Sequence, residues 1–248
     1  MLSVFEDFVR EKYNREVLGV FELGSMAMGL ANETSDSDVM VWVLPTWEDI
    51  VTGTEFSKQV KLEELNADVV VKDIRLVPRL LAKQNPSAMG MLNTMMSMVS
   101  EEWEFVLDDF WRSYNPERCF ICNTRMIESD YKRYSTGKEQ YSKEKLASRL
   151  WYTYDMAMFL KENKRYPENW ELPHDGQYLM VKNGDFTPLY SLTNTSTKEE
   201  AIEFMAKKLQ ENMGLGEFSE DKKDYKGYDS FMKKFVETFK ETMKKTPA

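Results

Sequence analysis

Residues 17–45 read VLGVFELGSMAMGLANETSDSDVMVWVLP, and this stretch decides the fold. Its two ends, VLGVFEL and DVMVWV, are Val-rich apolar runs of strand length. The first runs into a turn at Gly24 and the second stops at Pro45, so the stretch reads as strand, Gly-Ser turn, polar segment, strand. Glycine at 24 lets the backbone turn tightly and approach a phosphate. Amides freed at a following helix N-terminus, with the Ser25 hydroxyl, can bind phosphate oxygens. Asp36 and Asp38 sit two residues apart where the second strand begins. In extended chain residues i and i+2 share a face, so both carboxylates aim at one spot. Roughly 5–7 Å apart, they repel unless cations lie between them, and Mg²⁺ or Mn²⁺ with an octahedral oxygen shell suits that place.

Outward from this stretch, residues 2–13 put Leu2, Phe5, Phe8, Val9 and Tyr13 on one helical face. Residues 46–58 carry no decisive period. KQVKLEEL (58–65) is compatible with a strand, and ADVVVK (67–72) has the composition of one. IRLVPRLLAKQ (74–84) reads as a helix, with Asp73 placed to cap it and Asn85-Pro86 to end it. A third carboxylate from a neighbouring strand would complete a metal cage. Asp68, opening VVVK, is preferred over Asp73, whose place before Ile-Arg-Leu suits capping. Lys72 and Arg75 are candidates to neutralise a triphosphate, with a surface ion pair as the equal alternative.

Beyond about residue 86 the pattern changes. SAMGMLNTMMSMV is Met-rich and reads as adaptable core. EEWEFVLDDFW, ERCFICNTRMIESDYKRY, KEKLASRLWYTYDMAMFLKEN, AIEFMAKKLQENM and SFMKKFVETFKETMKK all have helical spacing. The first third is thus α/β and the rest mostly helical, an α+β arrangement in two parts. The Lys-rich tail (234–245) reads as the solvated face of a terminal helix. Lys132, Arg133, Lys138, Lys143, Lys145 and Arg149 are interleaved with Tyr131, Tyr134 and Tyr141, a mixture that suits RNA, although a solvated helical edge explains it more simply.

Composition removes several function classes. No apolar run approaches the roughly 18–20 residues that cross a bilayer, and the first residues lack the basic and small-residue signature of a signal peptide, so a cytoplasmic protein without membrane partners is expected. The only cysteines, Cys119 and Cys122, and the single histidine, His174, are too few for a soft-ligand metal site, and the thiols read as structural. His174 lies in a Leu-Pro-His-Asp-Gly turn. Chemistry must therefore come from carboxylates. The net charge of −9 disfavours tracking along a nucleic-acid duplex, and leaves room for a small nucleotide brought in with metal ions.

The run G-S-x-A-x-G-L (24–30), then S-D-x-D (35–38) and an apolar strand, resembles the nucleotidyltransferase motif of the DNA polymerase beta superfamily. It is similar above all to the small stand-alone nucleotidyltransferases of bacteria and phages. The likeness extends through DVVVKDIRLVPRLLAKQNP (68–86), with fainter echoes in KLASRLW (145–151) and VKNGD (181–185). The resemblance implies a small mixed-sheet nucleotidyltransferase core with Mg²⁺ on Asp36, Asp38 and the third carboxylate, and a nucleoside triphosphate at Gly24-Ser25. We expect a catalytic domain over residues 1–112 and a helical acceptor-binding or structural domain over 113–248. The expected reaction moves a nucleoside monophosphate from a triphosphate, ATP in the first instance, to a hydroxyl, with release of pyrophosphate. The acceptor would be tRNA or other RNA, otherwise a protein or small molecule. The alternative is a catalytically decayed module that binds nucleotide or a partner protein.

Overall fold

The structure, a computed structural model, describes residues 2–33, 35–84, 89, 91, 97–112, 115–138, 142–165, 171–212 and 228–245. They fall into two compact units. One comprises Met1–Met28, Ser35–Asn115 and Asp224–Ala248; the other comprises Gly29–Thr34 and Pro116–Lys223. The C-terminal helix thus groups with the first unit, although its sequence style matches the helical second half.

The first unit is built on a five-stranded sheet in the order β3-β4-β2-β1-β5. The strands are β1 (Val17–Leu23), β2 (Ser37–Val43), β3 (Ser57–Leu62), β4 (Ala67–Asp73) and β5 (Ser97–Val99). β2 and β4 run parallel, and every other pair is antiparallel. β1 is buried along its whole length, Glu22 included, as befits a mostly apolar run inside the sheet. Helix α1 (Ser3–Tyr13) closes one face of the sheet: Leu2, Phe5 and Val9 pack with Val20, Val39, Val41, Ala67, Val69 and Val71. Strand alternation therefore sends residues 68, 70 and 72 of β4, and residues 38, 40 and 42 of β2, to the other face.

The ambiguous segment after Pro45 is a short helix, α3 (Trp47–Thr52). Thr46 and Asp49 cap it reciprocally, the Thr46 hydroxyl accepting from the Asp49 amide and the Asp49 carboxylate from the Thr46 amide. Thr-x-x-Asp was the available signal, a variant of the Ser/Thr-x-x-Glu capping box. Asp73 caps a 3₁₀ turn (Ile74–Leu76) that leads into α4 (Val77–Lys83). The Asn85-Pro86 stop lies outside the described residues. Met89 and Met91 are buried, in keeping with a core role, while Met98 is 40% exposed on the edge strand β5, which the helical expectation beyond residue 86 did not include. Helices α5 (Phe105–Arg112) and α11 (Tyr228–Lys245) complete the unit. α11 buries Phe231, Phe235 and Met243, and Phe235 meets Trp103 edge to face at 5.3 Å.

The second unit is helical. α6 (Pro116–Ser135), α8 (Gln177–Lys182) and α10 (Lys198–Asn212) surround α7 (Lys143–Asn163), and α9 (Thr187–Thr193) packs on α8 and α10. α7 has its apolar side chains distributed around its axis rather than along one stripe, and a helix of that kind must be enclosed. Leu146, Leu150, Trp151, Met156 and Leu160 are accordingly buried. Among the described residues no helix is long and apolar enough to cross a membrane.

Candidate active site

β1 ends at Leu23, and the chain turns at Gly24 into the single-turn helix α2 (Gly24–Ala27). Gly24 has φ +60°, a left-handed conformation that a side chain disfavours. A Cβ placed there would overlap Oδ2 of Asp38 and stand 2.9 Å from its Cγ. Leu23 is also the antiparallel partner of Asp38. Glycine at 24 is thus required twice, by the turn and by the carboxylate resting against it. Ser25, half-buried, follows in the first turn of α2.

Asp38 is the in-register parallel neighbour of Asp68, and Asp36 lies two residues before Asp38 on the same side. Each of the three offers a carboxylate oxygen within 4.8 Å of the others, and all three are half-buried. The set is hard, anionic and all-oxygen. Three negative charges this close repel unless a cation offsets them, and a divalent ion with oxygen ligands matches the donors. Lys72 projects from the same sheet face, two alternations along β4 from Asp68, with its ammonium 3.4 Å from the Ser57 hydroxyl.

Asp73 is placed differently. It continues the series Ala67, Val69, Val71 on the α1 side and is fully buried. Its carboxylate accepts from the Arg75 amide at 2.9 Å, from Arg75 Nε at 3.0 Å and from Nη2 at 2.5 Å. The same Nη2 donates to the Thr54 carbonyl at 2.6 Å. The structure therefore does not bring Arg75 to the three carboxylates, because Asp73 on the opposite face holds it. Between a triphosphate role and an ion pair, the second describes the geometry of Arg75. Glu22, which the sequence reading left without a role, is 5% exposed on the α1 side, and burial raises its pKa above the ordinary carboxylate range.

In the helical unit two residues of the basic stretch form ion pairs. Arg149 pairs with Asp130 at 2.9 Å and Lys143 with Glu199, while Tyr131 and Tyr134 lie 6.3 Å apart. Tyr141 lies outside the described residues. His174 is in the expected turn, with Nδ1 2.7 Å from the buried carboxylate of Asp155, which also accepts from the Tyr178 hydroxyl. Cys119 is buried in α6, and Cys122, one turn on, has its thiol pKa raised by burial.

A feature with no signal in the sequence is the anchoring of the polar segment between α2 and Asp36. Lys182 donates to the Leu30 carbonyl at 2.6 Å, and the Asn32 amide donates to the Asn183 side-chain oxygen at 2.6 Å. The partners are about 150 residues apart, so no local period links them.

The model of the family described as "RlaP: RNA repair pathway DNA polymerase beta family" matches residues 3–248. The chain belongs to this family. Membership in RlaP makes it a stand-alone nucleotidyltransferase of the DNA polymerase beta type, as the Gly-Ser and Asp-x-Asp spacing implied. Among solved structures, the nucleotidyltransferase-like protein from Exiguobacterium sibiricum 255-15 is similar at 13% identity and a TM-score of 0.32, over 98% of this chain and 81% of that one. No curated protein matches the chain.

Proposed function

We propose that this RlaP-family chain transfers a nucleoside monophosphate from a nucleoside triphosphate, ATP in the first instance, to a hydroxyl of RNA. The observation that carries the reading is the approach of Asp36, Asp38 and Asp68 to within 4.8 Å of one another beside the Gly24 turn. The family description, an RNA repair pathway, supports RNA as the acceptor.

In the proposed reaction the acceptor oxygen forms a bond to the α-phosphorus while the bond from that phosphorus to the bridging oxygen breaks. The electron pair leaves with pyrophosphate, and the hydroxyl proton passes to solvent. Asp36, Asp38 and Asp68 would hold Mg²⁺ or Mn²⁺ as a pair of ions, whose charge lowers the pKa of an acceptor hydroxyl and offsets charge on the departing phosphates. Gly24 presents bare backbone on which the terminal phosphates can lie, and the Ser25 hydroxyl is a donor to their oxygens. Lys72, on the Asp68 face, supplies a positive charge to the triphosphate. Nearly all of the catalysis assigned to the protein is positioning and charge.

The test is incorporation of label from each α-³²P triphosphate into RNA with Mg²⁺ or Mn²⁺. Asp36→Ala and Asp38→Ala should each abolish incorporation while the circular dichroism spectrum stays that of the parent. Undiminished labelling by both variants would exclude the mechanism, and label entering only protein or a small molecule would reassign the acceptor.

A further inference from the structure

The pairing registers carry one row of side chains across the sheet at its carboxylate end. Leu23 of β1 is opposite Asp38 of β2, Asp38 is opposite Asp68 of β4, and Asp68 is opposite Lys61 of β3. Directly opposed residues share a face, so Lys61 stands on the carboxylate side and closes the row at the sheet edge. Gln59 and Ser57 continue from Lys61 on the same face, opposite Val70 and Lys72. The Lys72 ammonium donates to the Ser57 hydroxyl at 3.4 Å, and Val60 and Leu62 pack on the α1 side, as this assignment requires. Ser57, Gln59 and Lys61 are all exposed. Each can donate a hydrogen bond to an oxygen, and none of them carries negative charge. Lys61 Nζ is 3.6 Å from Glu63, but with the side chains 53% and 79% exposed this pair is weak, and an incoming phosphate can displace it.

The two ends of the row differ in chemistry. Gly24 and Ser25 follow Leu23 at the β1 end. Three strand spacings, about 14 Å, separate that end from Lys61. With pyrophosphate leaving towards Gly24-Ser25, in-line displacement requires the attacking hydroxyl to arrive from the opposite side of the α-phosphorus. On that side lie Asp68 and, beyond it, the exposed residues of β3. A strand whose hydroxyl reaches Asp68 therefore runs outward over β3, where Lys61 and Gln59 are donors of the kind that bind phosphate oxygens.

We propose that the exposed face of β3 is the docking strip for the acceptor RNA, with Lys61 and Gln59 holding backbone phosphates of the strand whose hydroxyl reacts. This rests on the nucleotidyl-transfer reading of the three carboxylates. A short fluorescein-labelled oligouridylate, titrated with the full chain and followed by fluorescence anisotropy at several salt concentrations, is the probe. Lys61→Gln should weaken binding by about tenfold, the worth of one hydrogen bond to a charged group. It should also make the fall of log affinity with log salt shallower by about 0.7, one phosphate contact on a single strand. Gln59→Glu, which sets a negative charge on the strip, should weaken binding too. Lys58→Gln removes an equal charge from the same strand on the α1 side and should bind as the parent does. Equal losses in Lys58→Gln and Lys61→Gln would reduce the effect to net charge and overturn the proposal, as would parental affinity and slope in Lys61→Gln. In turnover, KM for RNA should rise in Lys61→Gln while KM for the triphosphate stays; a rise for the triphosphate alone would place Lys61 on the donor side and equally overturn it. Asp38→Ala separates the two levels. Parental transfer there defeats the nucleotidyl-transfer reading, whereas lost transfer there with parental RNA binding in Lys61→Gln defeats the docking strip alone.

Discussion

The Asp38 carboxylate occupies the space that a side chain on Gly24 would need. The turn and the acidic residue are therefore one steric unit, although fourteen positions separate them. Gly24→Ala should displace the Asp38 carboxylate and add a left-handed alanine at a cost of about 1–2 kcal/mol. Urea denaturation should register the loss of stability, and Mn²⁺ titration a larger loss of affinity than that destabilisation alone explains. A variant with parental Mn²⁺ binding would show that Asp38 can retreat without consequence.

Asp68 and Asp73 lie on opposite faces of β4 and should fail in opposite ways. Asp68→Asn removes a carboxylate from the half-buried cluster, so metal binding and transfer should collapse with little change in melting. Asp73→Asn leaves Arg75 without its charged partner and disturbs the cap of the 3₁₀ turn. Breaking a pair with one fully buried member costs about 3 kcal/mol. Calorimetric unfolding should show that loss, with metal affinity little changed.

How much of this was legible follows from which interactions are local. The strand runs, the Gly-Ser turn and the Asp-x-Asp spacing are written within 29 consecutive residues, where period and turn chemistry speak directly. Preference for Asp68 over Asp73 also came from local signals, since Ile-Arg-Leu after Asp73 marks a cap. α3 hid behind a capping box with Asp in the place of Glu. β5 has three residues, too few for a period to emerge from a Met-rich background. The ties from Lys182 to Leu30 and from Asn183 to Asn32 have no local trace, and the sequence around Arg75 suits phosphate and an ion pair equally, since its partner Asp73 faces the other side of β4.

Arg15 and Asp49 give a pH signature independent of the site. Arg15 Nη1 lies 2.5 Å from Asp49, both side chains are about nine-tenths buried, and this bond, with the Thr46 contacts, lowers the Asp49 pKa to about 2. Because the folded value is depressed, the stabilisation is present above the unfolded pKa near 3.9 and disappears as pH falls through 2. At pH 7 the parent should exceed Asp49→Asn in unfolding free energy by about 2 kcal/mol. The gap should narrow below pH 4 and close near pH 2; a gap independent of pH would show that charge is not the cause.

Cys119 and Cys122 should behave as packing groups. Cys119 is buried, and burial raises the thiol pKa of Cys122, so little thiolate is present at neutral pH. Iodoacetamide at pH 7 should alkylate the folded chain far more slowly than the urea-unfolded chain, by mass spectrometry. Comparable rates in the two states would reopen a redox role.

The parallel pairing of Asp38 with Asp68 has a consequence for assembly. Two like charges set face to face weaken a sheet at the point where β2 and β4 must align. A slip of one residue would relieve that repulsion by turning one carboxylate to the α1 side, where Val39, Val41, Val69 and Val71 now pack. The valines thus hold the strands in the alignment that their own acids resist. A divalent ion would reward only the native alignment, since binding to one state alone stabilises it by mass action. Such an ion would proofread strand pairing before it served in any reaction.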